Sequence, residues 1–156
     1  MPTFERSIEI AAPIKSVYDF HLDTRNAARI ASDGQEFVSI IGEFPLVEGG
    51  EVELKVKMKP MPGTQTWLVR VTELAEPVLV VDEMLKGPFA KFRHEHRFAP
   101  SAHGGTILTD HIEWALPGGA AGRLVAPIAA KLMEKSFVER QAATKRILEA
   151  DAAAQS

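Results

Sequence analysis

The chain contains no cysteine in its 156 residues. That absence excludes a disulfide framework, a zinc–thiolate site and a thiol nucleophile, and it suits a reducing compartment. An excess of charge of either sign is also missing. Lys and Arg number 18 against 21 Asp and Glu, for a net charge of -3, so no basic surface points to nucleic acid. No run approaches the roughly 18 apolar residues of a membrane span. The opening "MPTFERSIEI" is charged by Glu5, where a secretory signal would carry an apolar stretch. The cytoplasm is the expected location. The Gly-Gly pairs at 49–50, 104–105 and 118–119 lack the spacing and the lysine of a phosphate loop, and mark turns instead.

What is present is an ordinary globular composition, 46% hydrophobic and 25% charged, in a chain long enough for one domain with a sizeable core. A single unit over residues 1–150 is expected, with 151–156 as a frayed tail. "TFERSIEI" reads as a strand, and Pro13 suits the first position of a helix through Leu22 whose apolar residues Ile14, Val17, Tyr18 and Leu22 recur at helical spacing. Asp23 or Thr24 is placed to cap a second short helix through Ile30. After "SDGQ" the period changes to two. "EFVSIIG", "EVELKVKMK", "TQTWLVRVTEL", "VLVVDEML", "KFRHEHRF" and "TILTDHIEWAL" are six strands separated by Gly- and Pro-containing breaks short enough for hairpins. In the second of these, Val52, Leu54, Val56 and Met58 alternate with charged residues, so one face is dry and the other wet. By the same alternation Trp67, Val69 and Val71 face inward and Arg70 outward. From Gly118 the period returns to that of a helix, one long element to about Ala150 with Pro127 near its start or at a kink. Its expected inner stripe is Leu124, Ile128, Leu132, Met133, Phe137 and Leu148.

A dry-faced antiparallel sheet of seven strands satisfies itself by curling around the terminal helix, and any gap that remains between them is the expected binding site. The element order, "APIKSVYDFHLDTRN" near the start and the block "KGPFAKFRHEHRFAPSAHGGTILTDHIEWALPGG" with the helix after it together resemble the START-like (SRPBCC) superfamily of helix-grip proteins. More narrowly, the chain resembles bacterial ligand-binding SRPBCC proteins of the cyclase/dehydrase-like kind. The resemblance implies an α+β helix-grip fold with a deep apolar cavity under the long helix. It does not imply a reaction, since members bind lipids, polyketides, quinones or hormones and only some are enzymes.

Within "KFRHEHRF", residues two apart share a face, so Phe92, His94, His96 and Phe98 point inward while Lys91, Arg93, Glu95 and Arg97 meet water. On the next strand Asp110 shares parity with Leu108, Ile112 and Trp114, and pairing of the two strands sets it opposite or diagonal to the imidazoles. Three readings stay open: a structural polar cluster in which the histidines satisfy a buried carboxylate, the polar end of a ligand pocket, and a metal triad of two histidines and a carboxylate. The expected pocket lining is Phe92, His94, His96, Asp110, Ile112, Trp114, Met133 and Phe137. Asp82 shares parity with Val78, Val80 and Met84 and Glu83 with Leu79, Val81 and Leu85, so alternation does not choose between the two faces; Asp82 is kept as a pocket residue. His21, His103 and His111 read as surface or loop residues, and Ser136 as a packed or solvated one.

The expected function is binding of a small hydrophobic or amphipathic ligand, a lipid, quinone or polyketide-like molecule, with no cofactor and no metal. The alternatives are an aromatase/cyclase or dehydratase-type enzyme in which His94 or His96 moves protons with Asp110, and a protein-interaction module whose cavity is filled by its own side chains. The oligomeric state stays open.

Overall fold

The computed structural model describes residues 2–155. Strand β1 (Thr3–Ile10) is followed by helices α1 (Ile14–His21) and α2 (Asn26–Arg29). Then come β2 (Gln35–Ile41), β3 (Glu51–Met58), β4 (Gln65–Ala75), β5 (Leu79–Lys86), β6 (Lys91–Pro100), β7 (Thr106–Ala115) and α3 (Ala120–Ala154). The strands form one antiparallel sheet in the order β1-β7-β6-β5-β4-β3-β2. Strands β2 to β7 are therefore a meander, as their short breaks predict, and β1 closes it beside β7. This is the α+β helix-grip fold.

Alternation decides the sheet's faces. Val52, Leu54 and Val56 of β3 are buried while Glu51, Lys55 and Lys57 are exposed, and Arg70 of β4 points outward to pair with Glu51 at 2.6 Å. Buried side chains fall into three clusters rather than one continuous core. One gathers α1 with Phe98, Leu108 and Leu148, one covers β3 and β4 around Val56 and Trp67, and one joins Ile112 and Trp114 to Met133 and Phe137 of α3. Clusters at separate places on the sheet's inner face leave space between them.

Helix α3 has 35 residues, about 52 Å at 1.5 Å per residue. Its second half is fastened to β1 and the segment after it. Gln141 Nε2 donates to the Arg6 carbonyl at 3.0 Å, Lys145 Nζ to the Glu9 carbonyl at 2.8 Å, and the Ala11 N–H to Glu149 at 2.8 Å. In the first half the expected stripe is corrected. Leu124, Ile128 and Leu132 are 83%, 65% and 55% exposed, and the side toward the sheet is instead Gly122, Ala126, Ala129 and Met133. Small residues belong there because the helix starts close against the end of β7 and the bulky Trp114. Met133, Phe137 and Leu148 are buried as expected.

Two smaller corrections concern ends. Residues 151–154, expected to fray, continue α3; alanine favours helix, and Ala152 packs on the α1 cluster. Ser156 lies outside the described residues. Helix α2 has Arg25 as its N-cap with no side-chain cap, because the Asp23 carboxylate is taken up by the Arg25 backbone N–H and guanidinium.

The turn from β7 into α3 depends on glycine. Gly118 and Gly119 have φ of 91° and 55°, values that residues with a Cβ rarely adopt. A Cβ on Gly122 would stand 2.3 Å from the Pro117 carbonyl oxygen. Gly to Ala inside a helix ordinarily stabilises by roughly 0.5–1 kcal/mol. Gly122→Ala is expected to do the reverse, costing about 1–3 kcal/mol as an overpacked contact does, and thermal melting monitored by circular dichroism checks the sign.

Candidate functional site

The polar centre of the molecule is built from three adjacent strands. Asp82 of β5 stands opposite His94 of β6, and His96 of β6 stands opposite Asp110 of β7. The short hydrogen bonds nevertheless run to the diagonal neighbours: His94 Nε2 to Asp110 at 2.7 Å and His96 Nε2 to Asp82 at 2.8 Å. Same-face diagonals lie within reach of long side chains, and the two rings use that reach to stack with centroids 3.7 Å apart. His96 Nδ1 is 3.5 Å from Asp110 and makes no hydrogen bond, so that contact is electrostatic. Gln141 of α3 donates to the second Asp110 oxygen at 2.8 Å.

Charge is distributed unevenly over this cluster. Burial opposes a proton on His96, but Asp110 and Asp82 outweigh it and raise the imidazole to about 9. His96 is thus a cation at neutral pH. Burial and the neighbouring His96 charge push His94 down, against the pull of Asp110. Burial works against ionisation of both carboxylates, yet His96 holds Asp82 below its ordinary value, and His94 with His96 holds Asp110 well below it. His21 joins from α1, its ring 5.2 Å from that of His96. Its Nδ1 lies 2.8 Å from the Val17 carbonyl, so the Nδ1–H donates and Nε2 keeps its lone pair. Burial first, then the His96 charge, push His21 down to about 3.

The cluster forms one wall of a cavity of about 560 Å³ between sheet and α3. Apolar wall comes from Trp67, Val71, Phe92, Met133 and Phe137 among others. The mouth is edged by α2, by Lys59 and Pro60 after β3, and by Leu132 and Lys135 of α3. There the Ser136 hydroxyl meets that of Ser32 at 3.0 Å.

The family model described as "Polyketide cyclase / dehydrase and lipid transport" matches residues 1–149. The chain belongs to that family. No curated protein matches it. Among solved structures, protein CV1439 of Chromobacterium violaceum is similar with a TM-score of 0.75 and 15% identity, over 96% of this chain and 99% of that one. The di-domain ARO/CYC StfQ of the steffimycin biosynthetic pathway is similar with a TM-score of 0.76 and 12% identity, over 97% of this chain and 51% of StfQ. A Thalictrum norcoclaurine synthase point mutant, in complex with a transition state analogue, has a TM-score of 0.68 and 10% identity over 94% and 93%. At these identities the likeness is one of fold.

The residues expected at a pocket divide into two groups. Asp82, Phe92, His94, His96, Met133 and Phe137 line the cavity. Asp110, Ile112 and Trp114 are buried but absent from its wall. Asp110 sits behind the imidazoles, and Ile112 and Trp114 are packed under Met133 and Phe137, because α3 lies against β7 and fills the space its inward side chains would have faced. The cavity opens further along the sheet, toward β3, β4 and β5. His21 corrects the surface reading, since it lines the cavity; the signal was its place one turn after the buried Val17. Arg140 also lines the cavity, and its spacing from Met133 and Phe137, at i+7 and i+3, puts it on their stripe. His103 is exposed and His111 bonds Glu5 on the outer face.

Asp82, His94 and His96 each offer a ligand atom within 4.8 Å of the others, the donor types of a facial triad. A cation there would have to displace the proton that two carboxylates hold on His96.

The opposite shifts of His21 and His96 set a pH dependence. His21 stays neutral in the fold down to about 3 but takes up a proton on unfolding below its ordinary 6.5, so its contribution is present above 6.5 and lost as pH falls through 3. His96 keeps its proton in the fold up to about 9, so its contribution is whole below 6.5 and lost as pH rises through 9. Denaturant titrations across pH are expected to peak near 6.5 in unfolding free energy, and His21→Gln to flatten the acid limb while leaving the alkaline limb. An unchanged acid limb in that variant would assign the loss to other groups.

Proposed function

We propose that this chain binds a small hydrophobic or amphipathic molecule, its apolar body against Trp67, Met133, Phe92 and Phe137 and its polar end toward the His96–Asp82 cluster. One observation carries the reading: the cavity of about 560 Å³ is open, its wall combining apolar side chains such as Trp67, Val71, Met133 and Phe137 with polar groups that include Asp82 and His96. That volume lies within the ~300–1,000 Å³ of ordinary ligand sites, which share the pattern of apolar lining with few placed polar groups. The family's description, which includes lipid transport, supports the same class of ligand.

A second reading, proton transfer on a bound cyclase- or dehydratase-type substrate, is favoured by the pairing on one wall of a neutral base, His21 Nε2, with a cationic acid, His96. Groups whose environments drive their proton affinities apart are how acid and base roles are assigned. Asp110 orients the imidazoles in that case rather than meeting substrate.

Gentle purification followed by native mass spectrometry and organic extraction is expected to recover a bound lipid, quinone or aromatic compound. Ser136→Trp, which puts an indole into the mouth, is expected to abolish that retention with the melting temperature held. Wild-type protein that is repeatedly empty and takes up no hydrophobic dye would overturn the binding reading. If a recovered compound is turned over, His21→Gln is expected to slow turnover by roughly 100-fold or more, in line with general acid–base contributions, while ligand is still bound.

A further inference from the structure

Arg140 differs from the buried carboxylates at and behind the cavity wall. Asp82 is bonded by His96, and Asp110 by His94 and Gln141. The Arg140 guanidinium has no hydrogen-bond or ion-pair partner among the described residues; its close contact is the ring of Phe137, 5.3 Å from centroid to guanidinium carbon. It is only partly exposed and it lines the cavity. Burial lowers its proton affinity while the charges of Asp110 and Asp82 act against that, and a guanidinium stays protonated in proteins. The result is a partly desolvated cation with five N–H donors and no acceptor of its own, at the wall of the cavity and within cation–π reach of the Phe137 ring.

From this we infer that the ligand is an amphipathic carboxylate, its acid group held by Arg140 and its apolar body in the cavity. The inference rests on the reading of the cavity as a ligand site and specifies what that site selects. A planar guanidinium matches a carboxylate in a two-pronged bond. An alcohol or a hydrocarbon of the same length would leave those donors unpaired in a partly dry site, which is costly.

The alternative is that Arg140 acts through space, as a counter-ion to the carboxylates of β5 and β7. Three proteins and two probes separate the cases. Isothermal titration calorimetry at pH 7.5 compares dodecanoate with dodecanol on the wild type, Arg140→Gln and Arg140→Lys. The wild type is expected to bind dodecanoate about tenfold or more tighter, the scale of a hydrogen bond to a charged group. Both variants are expected to lose most of that preference, the lysine variant because it keeps the charge without the fork. Equal wild-type affinity for the two probes would overturn the inference, and so would full preference retained in Arg140→Lys, which a through-space field alone produces. Dodecanol binding that disappears in Ser136→Trp keeps the cavity reading standing whichever way the preference falls. Failure of the wild type to bind either probe would bring down the cavity reading and this inference with it.

Discussion

Asp110 is the constraint on which the arrangement depends. A carboxylate buried to this degree is costly unless its oxygens are met, and here one oxygen takes the His94 proton and the other the Gln141 amide. Gln141 also holds the backbone of β1 through the Arg6 carbonyl. One ionised side chain on β7 thereby joins β6, β1 and α3. Since α3 is clamped at Gln141 and again at Lys145 and Glu149, its position over the sheet, and so the height of the cavity, follows from satisfying that carboxylate. Removing one partner would leave a buried charge uncompensated, which destabilises far more than the intact pair stabilises.

The same cluster supplies function with its polar wall. Charge was brought inside to hold strands in register, and its far side, Asp82 and His96, is open to the cavity. Structural and binding readings of the histidine pair are thus compatible: Asp110 lies on the packed side, and Asp82, His94 and His96 reach the open one. Apolar packing completes the division. Where α3 lies on β7 the gap closes over Trp114 and Ile112, and where the sheet curls away under β3, β4 and β5 the gap stays open.

Much of this was legible residue by residue. Period-two alternation located the six strands of the meander to within a residue or two and turned His94, His96 and Asp110 inward together, because in a strand adjacent side chains take opposite faces. It could not choose a face for Asp82, since both parities of "VLVVDEML" are apolar; the pairing of β5 with β6 chose it. Helical spacing was less decisive. Residues 120–133 carry two candidate stripes, one of Leu and Ile and one of Gly and Ala, and hydrophobicity favours the wrong one. Close approach to β7 requires the small one. His21 and Arg140 went unseen for a related reason: a polar side chain on an apolar stripe looks solvated until something is known to cover it.

The amino-acid sequence by itself determined the fold class, the strand boundaries and the inward direction of the imidazoles and Asp110, since each follows from local periodicity and turn chemistry. Tertiary structure alone decided which inward residues are packed and which face open space, which stripe of α3 meets the sheet, and that His21 and Arg140 reach the cavity. Those outcomes depend on where elements distant in sequence come to rest against one another, and the distance between α3 and each strand is not written in any local pattern.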